Sequence, residues 1–227
     1  MVGKKIEETE EDIRPPDSMR RTPQQERSRR MVDAIVQAAH NILSECGRDG
    51  LSTTSLEVVS GVSKASIYQY FPNLDSVVAE VFHYVIRASQ LKGYKDFPYE
   101  KSMTVLEFTT WLLDWAISVH RSVIKLDSDF YLRYSGFYDM WRELDKNLKP
   151  GGDSTEHFIY EQLQRCSDFK SSDKDMMLVH ALGRAAQYMV YSMSRDNPEF
   201  LDDPEFRDIL IRMSYAIFGQ DSLTALS

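Results

Sequence analysis

The stretch Ser52 to Pro72, STTSLEVVSGVSKASIYQYFP, constrains the fold more than any other. It holds two short helical segments with a stop signal after each. Ser52 or Thr54 can cap the first, the latter with Glu57 at the three-residue spacing of a capping box, and Gly61 breaks it. Val62 plugs the turn, Ser63 caps the second segment, and Pro72 bars its continuation. This predicts helices over 53–60 and 64–71. Leu56 and Val59 are expected to face inward from the first, and Ile67 and Phe71, four residues apart, from the second. Lys64, Ser66, Tyr68, Gln69 and Tyr70 are then left on the outer face. Two helices joined by a short Gly-bearing turn form a helix-turn-helix, whose second helix can enter the major groove of DNA.

Helical periodicity continues on both sides. Met31, Ala34, Ile35, Ala38, Ile42 and Leu43 form one stripe, predicting a helix over 25–46 that stops near Gly47 and Gly50. A longer helix is expected over 73–91, then a Gly- and Pro-bearing loop at 93–98. Further helices follow near 102–121, 123–147, 154–168, 172–194 and 203–219, separated by breaks such as KPGGD and RDNPEF. With no sustained strand alternation and no internal repeat, the class is all-α. The expected organisation is a disordered arm over 1–22, a helix-turn-helix domain over 23–75, a helical ligand-binding and dimerisation domain over 76–220, and a tail over 221–227.

Charge bears on the partner. The net charge is −8, but residues 1–13 carry −3, residues 14–72 carry +2 and residues 73–227 carry −7. Arg20, Arg21, Arg27, Arg29 and Arg30 fall within eleven residues, a local patch that suits phosphates. Small Ala65 and Ser66 allow close approach to base edges, Lys64 and Gln69 can read bases or bind phosphate, and the tyrosine hydroxyls suit backbone oxygens. No membrane span and no signal-peptide pattern is legible, so a cytoplasmic location is expected. Cys46 and Cys166 are far apart, and the 5 histidines lack ligand spacing, so no metal and no cofactor is expected. Neither a nucleophile with its base, nor a carboxylate pair at useful spacing, nor a phosphate-cradling glycine loop is legible. An enzyme is therefore not expected.

The segment RRMVDAIVQAAHNILSECGRDGLSTTSLEVVSGVSKASIYQYFPNLDSVVAEV, Arg29 to Val81, resembles the TetR family of transcriptional regulators. The resemblance covers a first helix ending at Gly47, a second helix and turn, the recognition helix SKASIYQYF, and PNLDSVV opening the fourth helix. By position it implies DNA contacts from Thr53, Thr54, Lys64, Ala65, Ser66, Tyr68 and Tyr70, to which the residues themselves add Ser63, Gln69 and Asn73. Two positions depart from the family pattern. Leu74 stands where a phosphate-gripping lysine is usual, so Asn73 or an arginine of the arm is left to substitute. Glu57 stands where alanine is usual, placing a negative charge near DNA unless it points outward or caps a helix.

The C-terminal part carries an aromatic concentration. All three tryptophans fall within 31 residues, with five further rings between the last two. Trp111, Trp115, Tyr134, Phe137 and Trp141 are expected to line a pocket for an aromatic or amphipathic small molecule, with His120 and His180 as possible polar anchors. The last helix carries an apolar stripe that includes Ile209, Met213 and Ala216, and small residues accompany Met177 and Ala181 on the helix at 172–194. The resemblance implies that these two helices from each subunit build a four-helix dimer interface. It also implies a homodimeric regulator, most often a repressor, that leaves double-stranded operator DNA when its effector binds. The rival reading is an all-helical interaction module that has lost DNA binding.

Overall fold

A computed structural model describes residue 16, residues 18–134 and residues 154–218. The expected tail, most of the expected arm, Phe137 and Trp141 lie outside the described residues. Nine α-helices are described: α1 Glu26–Gly50, α2 Thr53–Ser60, α3 Lys64–Tyr70, α4 Leu74–Asp96, α5 Val105–Leu126, α6 Ser128–Tyr134, α7 Thr155–Gln164, α8 Asp175–Asp196 and α9 Pro204–Phe218. A short 3-10 helix, Pro198–Asp202, precedes α9. The all-α class holds across the described residues.

Most boundaries follow the local chemistry. Gly47 interrupts α1 with φ 66° and ψ −169°, a backbone region that favours glycine. Ser52, rather than Thr54, caps α2: its hydroxyl accepts from the Ser55 amide at 3.0 Å, and Ser55 Oγ accepts from the Ser52 amide at 2.9 Å. Asn73 and Ser76 close the same reciprocal box on α4, and Thr104 and Glu107 on α5.

Two boundaries differ most from expectation. Helix α4 does not stop at 91 but runs through Gly93 to Asp96, because the bare glycine backbone lets α5 pack directly on it. Helix α5 does not end at 121. Nothing in Arg121–Ser122–Val123 breaks a helix, and the break comes at Asp127, whose Oδ1 accepts the Phe130 amide at 2.9 Å and starts α6.

Three apolar clusters organise the chain. The first joins Ile35, Ala39 and Leu43 of α1, Leu56 of α2, Ile67 of α3, Phe71, and Val77, Val81 and Phe82 of α4 to Val119, Val123 and Phe130. Packing is therefore continuous across residue 75, and α4 serves both halves. The second gathers Phe97, Met103, Val105, Phe108, Ile159, Leu163 and Val179. The third joins Leu113 and Ile117 of α5 to Val190, Leu201, Phe206 and Leu210. No helix among the described residues is long and apolar enough to cross a membrane.

Candidate nucleic-acid interface and effector cleft

The turn between α2 and α3 is built from both sides. Gly61 closes α2 in the left-handed region, φ 69° and ψ 9°, and Ser63 caps α3. Glu57 does not serve the α2 cap. Its Oε1 accepts the Lys64 amide at 3.1 Å, satisfying a free N–H in the first turn of α3. The ammonium of Lys64 donates to Thr54 Oγ1 at 2.9 Å, so two residues expected at DNA are joined across the helix pair. The carboxylate at position 57 is thus built into the angle between the helices.

Ile67 and Phe71 are buried at 1% and 0% exposure, as their spacing predicts. Ser63, Lys64, Ala65, Tyr68 and Gln69 stand exposed, with Thr54 from α2, while Thr53 and Ser66 are half-buried. Tyr70 departs from expectation: three residues after Ile67 it falls on the same face, and its ring joins the core at 6% exposure. Val59 departs in the opposite sense and is 52% exposed, because α2 buries only the side that carries Leu56. Asn73 is exposed, but its Oδ1 accepts the Ser76 amide at 2.8 Å. Leu74 packs against the core, which accounts for an apolar residue there.

A solvent-open cleft of about 410 Å3 lies between α4 and α5. Trp111 and Trp115 line it together with Ser89, Lys92, Asp96 and Asp114. The two indoles stack at 6.0 Å between centroids, 15° from parallel, and Trp115 Nε1 donates to the Ser89 carbonyl at 3.1 Å. Tyr134 does not belong to this cleft. It lies on α6, where its hydroxyl donates to Asp75 Oδ2 at 3.2 Å and its ring packs on Phe130. His120 is core, 2.9 Å from the Tyr131 hydroxyl, and burial pushes its pKa down to about 4. His180 sits at the surface, 2.8 Å from Glu156.

No protein-family model and no curated protein matches the sequence. Solved structures do match. A TetR transcriptional regulator from Rhodococcus sp. RHA1 superposes with TM-score 0.53 at 13% identity, covering 87% of this chain and 100% of its own. RolR, solved with resorcinol, gives TM-score 0.57 at 12% identity, covering 88% and 92%. A third, from work on control of antibiotic production by bacterial hormones, gives 0.52 at 17% identity, covering 82% and 96%.

This chain has the TetR-regulator fold.

Within this TetR-type fold, two features were not legible in the sequence and a third was legible only in part. Tyr94, Phe97 and Phe158 join the tryptophans in one ring cluster: Phe97 stands 4.7 Å from Trp111, and Tyr94 4.9 Å from Phe158. Their separation in sequence hid them. The second feature is the junction between the halves. Arg48 at the end of α1 bonds Asp75 at the start of α4 and lies 3.6 Å from Asp127 at the start of α6, whose pKa burial raises. Only the charge types were legible beforehand. The third is the outer side of α8 and α9. Phe206, Leu210 and Ile211 of α9 are buried, whereas Ile209, Met213 and Ala216 are exposed, as are Met177 and Ala181 of α8. The apolar stripe of α9 thus splits between the subunit's own core and an outward face. Among the described residues, no group of three or more potential metal-binding side chains occurs.

Proposed function

We propose that the protein is a ligand-responsive transcriptional regulator, acting as a repressor, that binds double-stranded operator DNA as a homodimer and leaves it when a small molecule binds. The observation that carries this reading is the α2–α3 pair: its polar outer residues, Thr54, Lys64, Tyr68 and Gln69, surround the small side chains of Ala65 and Ser66, which let a groove approach closely. Contacts from Thr53, Ser63, Ser66 and Asn73 complete the interface. A cytoplasmic location and a non-enzymatic role follow from this function.

The dimer interface is assigned to the outward faces of α8 and α9. Exposures of 62% at Met177, 45% at Ile209 and 40% at Met213 leave large apolar groups in water, which a second copy would cover. The effector site is assigned to the cleft beside Trp111 and Trp115. Stacked indoles and nearby hydroxyls suit a flat aromatic or amphipathic molecule with polar ends. That RolR was solved with resorcinol supports an aromatic effector. Ligand binding would act by population shift, through differential affinity for a conformation whose recognition helices no longer match the half-site spacing.

The test is a salt-dependent gel shift on the protein's own upstream region and on duplexes selected from a random library. Bound duplex with a defined half-site spacing is expected. Failure to bind any duplex at low salt refutes the regulator reading and favours the interaction module without DNA binding.

A further inference from the structure

We infer that the segment from Ser18 to Arg30 is a second DNA-contacting element, a guanidinium clamp on the phosphates beside the groove that α3 enters. The inference rests on the DNA-binding reading and extends it to residues outside the helix pair.

The chain before α1 is held against the recognition helix. The Arg20 amide donates to the Tyr70 carbonyl at 2.8 Å, and its guanidinium donates to the Tyr68 carbonyl at 3.3 Å. Met19 packs against the core of the same half. Carbonyls in the last turn of a helix have no partner within it and form the negative end of its dipole, so a guanidinium there is favourable. Arg20 is thereby a positioning residue, and the segment it anchors is fixed at the C-terminal end of α3.

The remaining arginines of this segment divide by their partners. Arg30 pairs with Glu26, and Arg29 donates to the Pro23 carbonyl. Arg21 and Arg27 are exposed, and neither has a side-chain partner among the described residues. Arg21 follows the anchored residue directly, and Arg27 lies in the first turn of α1. On the helices themselves, Lys64 keeps its ammonium charge while bonded to the neutral Thr54 hydroxyl, and Leu74 supplies no cation at the start of α4. To the charges of Lys64 and Arg20, Arg21 therefore adds a guanidinium beside the anchored end of the recognition helix, and Arg27 adds another from the first turn of α1. The partner chemistry is the phosphate oxygens of duplex DNA, which a planar guanidinium binds with paired donors.

The experiment measures Kd against salt concentration for a duplex selected by the wild-type protein. Proteins compared are wild type, Arg21→Gln, Arg27→Gln, the double variant, and Arg21→Lys with Arg27→Lys. Each lost phosphate contact lowers the log–log salt slope by about 0.9 and, extrapolated from 1 M, weakens binding roughly eight-fold at 0.1 M salt. The double Gln variant is expected to lose about 1.8 from the slope with unchanged sequence preference, and the double Lys variant to retain most of it. A wild-type slope in the double Gln variant overturns the inference while leaving the DNA-binding reading intact. Absence of binding by the wild type instead refutes that reading.

Discussion

Gly93 tests the packing on which the cleft between α4 and α5 depends. A Cβ built there would lie 2.4 Å from Trp115 Nε1 and 2.8 Å from Cε2, closer than van der Waals contact allows. Relief requires moving the indole, and moving it breaks the Nε1 bond to the Ser89 carbonyl and disturbs the stack on Trp111. Overpacking a core costs about 1–3 kcal/mol and a lost hydrogen bond about 1 kcal/mol. Against this, alanine in a helix interior gains about 1 kcal/mol over glycine. The net for Gly93→Ala is about 2 kcal/mol of destabilisation, or a Tm lowered by about 4–8 °C for a chain of this size. Calorimetry measures the shift, and near-UV circular dichroism reports the indole pair. In a Trp115→Phe background the same substitution should be neutral or stabilising, since the ring it strikes is smaller and has no N–H to orphan. A wild-type Tm in Gly93→Ala, or one raised by helix propensity, would refute the close α4–α5 contact.

Tyr68→Phe should remove one phosphate hydrogen bond, about 1 kcal/mol, and weaken binding to all duplexes alike, whereas Lys64→Ala should also alter site preference because it releases Thr54; gel shifts on selected and scrambled duplexes distinguish the two. Sedimentation should show a wild-type dimer at micromolar concentration and a monomer for Met213→Asp, since a carboxylate buried without a partner costs several kcal/mol; a monomeric wild type contradicts the interface assignment. His120 titrates near 6.5 when unfolded and near 4 when folded, so between those values the folded state binds fewer protons and stability falls as pH drops. The loss reaches about 3 kcal/mol near pH 4, measured as the difference between wild type and His120→Phe in denaturant titrations at several pH values; parallel pH profiles would show that His120 is not buried neutral.

Signals that act within four residues were legible in the chain. Ser63 before Lys64 and Pro72 after Phe71 delimit the recognition helix, and the stripe through Ile35, Ala38 and Ile42 identifies the buried side of α1. Each depends on a cap, a ring or a helical period that the local residues set by themselves. Where several partners compete for one group, only packing decided. Glu57 could cap its own helix or reach the next, and the short turn brought the Lys64 amide within its range. Tyr134 had the composition of a pocket ring, but α6 lies against α4 and gives its hydroxyl to Asp75, while Tyr94 of α4 reaches Trp115 and Phe158 of α7 packs on Tyr94. Such contacts join residues tens of positions apart, and their choice depends on how three apolar clusters share α5. No periodicity within a single helix encodes that sharing, so tertiary structure alone determined it.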